Sequence, residues 1–274
     1  MKIAVFGGIY NNYLALEAAI VDATRRGAER LYCLGDLGAF GPHPDRVFPL
    51  LFEHDVQCVQ GNYDNSIGNN LNDCQCGYTD PRDNYFAQIS YEYTQQNTSS
   101  AHRDWLRTLP SEIRFEIDGV RFLLCHGSPR RTNEFLWESA TSTGFLNRLA
   151  NEADADVILG THTGIHWLRE LDGNQLFVNA GVLGRPENDG RTNVWYTLID
   201  TDKCARGRAE QGGAVLSKMS AAIEFVPMNY DHGRLADEMR AEKLPDEFVE
   251  TILGGWWTTC LEVLPGRERR RGRF

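Results

Sequence analysis

No run of the chain approaches the roughly 18 uninterrupted apolar residues of a membrane-crossing helix. The opening residues lack the basic-then-apolar pattern of a signal peptide, so no membrane association is expected and the expected location is cytoplasmic. Basic charge is short as well: 28 Lys and Arg stand against 38 Asp and Glu, a net charge of −10. That balance argues against broad nucleic-acid or membrane-surface binding, and a small anion would have to be captured by a local patch. Cysteine is sparse and odd in number, seven in all, and Cys33, Cys58 and Cys125 lie in or beside apolar strand-like runs, as small core residues do. A secreted disulfide framework is therefore not expected. Cys74 and Cys76 stand apart in the polar stretch NDCQCGYTDP, where a CxC pair can bind metal but lacks a second pair at a recognisable spacing. No internal repeat is present.

What the chain does have is the composition of a folded globular protein, with 42% hydrophobic and 24% charged residues over 274 positions. Short runs rich in Val, Ile, Leu and Phe alternate with amphipathic stretches, the pattern of an α/β protein. Strands are expected at Lys2 to Phe6, Arg30 to Leu34 and Gln57 to Gln60, with helices at Leu14 to Arg26 and Pro44 to Glu53 between them. This opening βαβαβ unit would place IYNN, GDLGAFGP and GNYD at the carboxyl ends of parallel strands, where ligands bind. Residues 84 to 108 read as helical, with Ser99 and Ser100 as caps for a helix through Trp105 and Leu106. Asp118-Gly119 between alternating apolar runs predicts a hairpin. Helix Gly144 to Asn151 and strand Asp156 to Leu159 follow, then a largely antiparallel set at 165–170, 175–179, 194–200 and 222–226.

Lys203 to Lys218 is polar and reads as an exposed loop, and helices return at Leu235 to Arg240 and Asp246 to Leu253. Trp256 and Trp257 read as packing residues, with cover of a homo-oligomer surface as the alternative. The terminal GRERRRGRF reads as a solvated tail. The expected organisation is one domain over 1–264, with a core at 1–226, a helical segment at 227–264 and the Arg-rich tail at 265–274.

Five loop motifs stand in order: IYNN after the first strand, LGDLGAFGP, GNYD, CHGSP and GTHTG. Their types and order resemble the calcineurin-like metallophosphoesterase superfamily, in particular its small bacterial phosphodiesterase branch, whose motifs read DxH, GD, GNHD or GNHE, HGS and GHxH. The resemblance covers roughly residues 1 to 200. It implies a four-layer αββα sandwich, two facing mixed sheets flanked by helices, and a two-metal phosphoester hydrolase.

The metal ligands are only partly kept. By resemblance the first metal would fall to Gly8, Tyr10, Asp36 and Thr163, of which Asp36 alone is a good ligand, so a second metal is not expected. The other site would fall to Asp36, Asn62, His126 and Thr161, with His162 one residue away and a Gly-flanked loop able to re-aim it. Asp36, Asn62, His126 and His162 would suit one divalent transition metal, Zn, Mn or Fe. Taken singly, Asp36 could merely cap a turn and His126 could be a core histidine satisfied by a carbonyl. Tyr63 replaces a family histidine near the leaving group and would position substrate, with Asp64 orienting it. Tyr10 would be filler or a stacking surface. Asn11, Asn12, Arg130, Arg131 and Arg185 would bind phosphate.

The expectation is a divergent metal-dependent phosphoesterase acting on a small, nucleotide-like phosphomonoester or phosphodiester. The alternative is a catalytically inactive relative that binds a ligand or partner in the old cleft. A third reading makes Cys74, Cys76, Tyr10 and Tyr63 a new metal centre.

Overall fold

The computed structural model describes residues 1–209 and 219–270. In chain order the strands are β1 (Lys2–Phe6), β2 (Ala28–Cys33), β3 (Gln57–Cys58), β4 (Glu112–Ile117), β5 (Val120–Cys125), β6 (Val157–Gly160), β7 (His166–Glu170), β8 (Leu176–Ala180), β9 (Val194–Asp200) and β10 (Ile223–Met228). They form two five-stranded mixed sheets, ordered β10-β9-β1-β2-β3 and β4-β5-β6-β8-β7. In the first, β1, β2 and β3 run parallel while β9 and β10 pair antiparallel; in the second, β5, β6 and β8 run parallel between antiparallel edges.

Side-chain alternation sets the layers. Ile3 and Val5 of β1 cluster with Leu34, Phe122, Leu124, Val157 and Leu159 between the two sheets. Ala4 and Phe6, on the other face of the same strand, pack on Leu16, Ala19 and Ile20 of helix α1 (Tyr13–Arg25). On the far side, Leu123, Ile158 and Phe177 pack on Leu146 and Leu149 of the helix Thr143–Glu152. The order is therefore helix, sheet, sheet, helix. The β4–β5 turn has Asp118 at φ 52 and Gly119 at φ 77, the left-handed pair that an Asp-Gly hairpin turn requires.

Helices α2 (Val47–Glu53), α3 (Asn62–Gly68), α4 (Pro81–Asn97), α5 (Ser100–Leu106), α6 (Thr143–Glu152), α7 (Thr201–Ala209), α8 (His232–Ala241), α9 (Asp246–Gly254) and α10 (Gly266–Arg269) complete the described α-helices. Helix α3 was not expected. Glycine caps it, and Asp64 accepts the Gly61 N–H at 2.8 Å, closing its first turn without an apolar stripe to announce it.

Three expectations change. Thr201 to Ala209 is helical, with Cys204 buried, instead of opening an exposed loop; positions 210–218 lie outside the described residues. The C-terminal stretch is not simply solvated: in α10, buried Glu268 accepts the Ser139 N–H at 2.9 Å and its hydroxyl at 2.5 Å, while 271–274 lie outside the described residues. Cys74 and Cys76 are joined to each other by a disulfide, so their sulfurs do not offer a thiolate pair to a metal.

At one rim the two sheets are bridged, Gly8 to Val182, and the loops after β1, β2, β3, β5, β6 and β8 converge there.

Candidate metal centre

Asp36 follows β2 in the left-handed region at φ 57, a conformation that other groups must hold in place. Its N–H donates to Asp64 Oδ2 at 2.8 Å, and its carbonyl accepts the N–H groups of Ile9 at 2.9 Å and Tyr10 at 3.2 Å. Its carboxylate Oδ1 accepts the Tyr63 N–H at 3.0 Å, at the first turn of α3. A Cβ on Gly61 would collide with this carboxylate, so the turn before Asn62 needs glycine.

His126 follows β5 and is buried. Its Nδ1–H donates to the Leu34 carbonyl at 2.6 Å, which leaves Nε2 facing Asp36 Oδ2 at 3.2 Å and His162 Nδ1 at 3.2 Å. His162 reaches this point because it sits at φ 69, between flanking threonines, and the left-handed turn swings its ring inward. One ligand atom from each of Asp36, His126 and His162 lies within 4.8 Å of the others. A tetrahedral ion with bonds of about 2.1 Å spaces its ligand atoms by about 3.4 Å, so the 3.2 Å separations suit a single cation.

Asn62 adds a second sign. Its Nδ2 donates to the Cys74 carbonyl at 2.8 Å and to Cys76 Sγ at 3.4 Å, while its Oδ1 is buried without a hydrogen-bond partner. An orphaned amide oxygen is unfavourable unless something electropositive meets it.

The electrostatics of the metal-free cluster are those of a charged Asp36–His126 pair beside a neutral His162. Burial acts to raise the Asp36 carboxyl, but His126 beside it outweighs this and holds it below the usual carboxylate range. Burial acts against charge on His126, yet the Asp36 carboxylate and the Leu34 carbonyl hold its proton above the usual imidazole range. Burial, then His126, push His162 down to about 3, so its lone pair is free at neutral pH.

The remaining expected residues divide. Asp64 orients the Asp36 loop more than the Tyr63 side chain, accepting the N–H groups of Asp36, Leu37 and Gly61. Tyr63 turns away from the cluster: its hydroxyl donates to Ser90 Oγ at 3.1 Å and reaches the Ala87 carbonyl at 3.3 Å, both on α4. The Tyr10 ring fills the space over Gly8, and burial raises its hydroxyl, which is neutral in the metal-free fold. Asn12 caps α1 and donates to the Gly184 carbonyl at 3.0 Å. The Asn11 amide donates to Gly41 and Thr94, which takes up the N–H groups that phosphate would need. Arg130 is exposed and paired with Glu134, and Arg131 donates to Asn133 at 2.7 Å. Arg185 alone of the three arginines is buried, at 5% exposure, with its guanidinium 3.6 Å from the Trp257 ring centroid.

Two neighbours carried no sequence signal of this role: Phe135, whose ring centroid is 4.3 Å from that of His162, and Trp257. Thr161 and Thr163 are committed to structure. The first donates to the Gly181 carbonyl and the second accepts the Asn179 amide at 2.9 Å.

A model of the calcineurin-like phosphoesterase superfamily domain matches residues 1–203. The chain belongs to the calcineurin-like phosphoesterase superfamily. It is 23% identical to an uncharacterized protein of Methanocaldococcus jannaschii over 267 residues, 92% of this chain and 98% of that relative. Among solved structures, its fold matches a hypothetical protein from Pyrococcus horikoshii at TM-score 0.73 and 20% identity, covering 94% of this chain and 99% of that one. It also matches a metallophosphoesterase from Sphaerobacter thermophilus at TM-score 0.67 and 21% identity, covering 93% and 99%. These likenesses show the calcineurin-like phosphoesterase fold.

Proposed function

We propose that the chain is a metal-dependent phosphoesterase with a reduced metal site. One divalent transition metal, Zn, Mn or Fe, would be held by Asp36, Asn62, His126 and His162, and the substrate would be a small, nucleotide-like phosphomonoester or phosphodiester. The observation that carries this reading is the buried Asp36–His126–His162 cluster beside the orphaned Asn62 Oδ1.

When bound, such an ion supplies Lewis acidity, neutralising phosphoryl charge and making water more acidic. The chain's residues hold the rest in place. The Leu34 carbonyl engages Nδ1 of His126, so Nε2 is the nitrogen that would face the ion once its proton is displaced. Asp64 and the Tyr63 N–H fix the loop and carboxylate of Asp36. No imidazole stands ready to protonate a leaving group, because Tyr63 occupies that motif position and its hydroxyl points into α4. Substrates with good leaving groups should therefore be favoured.

The test is hydrolysis of p-nitrophenyl phosphate and bis-p-nitrophenyl phosphate by metal-loaded protein, with Asp36→Ala as control. Turnover that disappears in the variant supports the proposal; equal rates in both proteins contradict it.

A second reading, a catalytically silent binder, draws support from enclosure: Asp36, Asn62 and His126 are each 3% exposed or less. It predicts no turnover but ligand-dependent thermal stabilisation.

A further inference from the structure

Arg185 is the only Lys or Arg among the buried polar residues of the described chain. Its guanidinium makes no ion pair and donates no hydrogen bond among the described residues, and its Nε is buried without a partner. A desolvated cation in that state is unfavourable unless an anion meets it. Its neighbours are rings: Trp257 at 3.6 Å, Phe40 at 4.8 Å and Tyr10 at 5.8 Å from centroid to guanidinium carbon. These faces hold the fork flat without using its N–H groups. The Tyr10, Tyr78 and Cys260 side chains beside it are not standing anions. Burial raises the hydroxyls of Tyr10 and Tyr78 and the thiol of Cys260, so all three are neutral at physiological pH.

The place of this cation in the fold matters as much as its lack of a partner. Leu183 and Gly184 donate to the Gly8 carbonyl at 2.9 Å, which pins the loop after β8, carrying Arg185, to the loop after β1. Nη2 lies 3.7 Å from where a Cβ on Gly164 would stand, two residues beyond His162. Tyr10, whose N–H is bonded to the Asp36 carbonyl, borders the guanidinium on the other side. One side of the rim thus has the carboxylate and imidazoles of a cation site. The other side, at Gly8, Tyr10 and Thr163, offers no metal ligand and has a guanidinium.

We propose that Arg185 is a built-in second cation of this cleft, binding the non-bridging oxygens of a phosphoryl group whose other oxygens face a single ion at Asp36, His126 and His162. The site then works with one metal and one guanidinium. The identification of the anion as phosphoryl rests on the phosphoesterase reading above; the unpaired buried guanidinium does not.

The experiment is calorimetric titration of inorganic phosphate into metal-loaded and metal-stripped protein, for the wild type, Arg185→Met and the surface control Arg191→Met. Metal content is measured for every sample. The wild type is expected to bind phosphate with one metal per chain. Arg185→Met should bind it about tenfold more weakly or worse, with metal content unchanged and the control within about twofold of wild type. If Arg185→Met does not fold, Arg185→Lys carries the test, because it keeps charge but loses the fork: its thermal stabilisation by phosphate should be smaller than that of wild type. Undiminished phosphate affinity in Arg185→Met, or in Arg185→Lys where that variant carries the test, overturns the proposal, as does no phosphate binding by the wild type or two metals per chain. Failure of the hydrolase reading looks different: the wild type holds no metal, and Arg185-dependent phosphate binding is still read in the stripped protein.

Discussion

Single side chains decide whether this site holds a cation, and His126 carries the sharpest consequence. Its imidazole keeps a proton above the ordinary range in the metal-free fold, because Asp36 and the Leu34 carbonyl outweigh burial. That contribution to stability is fully present below the unfolded pKa, about 6.5, and is lost as pH rises through the raised folded value. A metal must displace the same proton. Metal affinity should therefore fall as pH drops through the neutral range, and metal uptake near neutrality should release a proton from His126 and none from His162, already neutral with its pKa near 3. Calorimetry in buffers of different ionisation enthalpy checks this, and a buffer-independent heat contradicts it. Asp64 acts one step further out. Asp64→Asn leaves one of the N–H groups of Asp36, Leu37 and Gly61 without its acceptor, so metal affinity should fall about 10–100-fold while Asp36 itself is intact. Competition with a chromogenic chelator reads that change.

Between elements, the loop over the site is held by the disulfide and by Asn62. Cys74→Ser removes the Cys74–Cys76 link but no metal ligand, so metal content should stay unchanged while amide exchange at 72–78 quickens. Loss of metal from this variant would instead support a cysteine-based centre. Helix caps make a second test. Asn12→Ala removes the oxygen that accepts the Ala15 N–H at 3.0 Å and the amide that reaches Gly184, and should cost about 1–2 kcal/mol by denaturant unfolding.

How much of this the sequence shows depends on the kind of signal. The βαβαβ opening and the Asp-Gly hairpin are legible because apolar alternation and turn residues write them locally. The sharing of strands between sheets is not, since the single antiparallel set expected at 165–226 is split, β7 and β8 joining the second sheet while β9 and β10 pair onto β1 in the first. Helix α3 is not, because its start is a glycine and a carboxylate folded back on itself. Asp36 and His126 are legible as motif residues, and His162 only because flexible backbone around it could re-aim its ring. The direction of the Tyr63 hydroxyl is not legible, since it depends on α4 arriving from residues 81–97 with Ser90 in place. Asn11 and Asn12 look free in the sequence and are consumed by contacts across 30 and 172 residues.

For the chain as a unit, the C-terminal segment after α9 closes the rim. Trp257 is 2% exposed, its indole N–H donates to the Pro186 carbonyl at 2.7 Å, and its ring covers Arg185. It is thus an interior wall and no part of an exposed oligomer patch. Trp257→Ala should lower stability by about 3–5 kcal/mol, read by chemical denaturation; a loss under about 1 kcal/mol would show that the segment is loosely placed. The decisive measurement remains elemental analysis of the purified protein beside an Asp36→Ala, His126→Ala double variant. About one transition-metal ion per chain in the wild type and none in the variant is the expected result. No metal in the wild type, or the same amount in both, would contradict a metal centre at this rim.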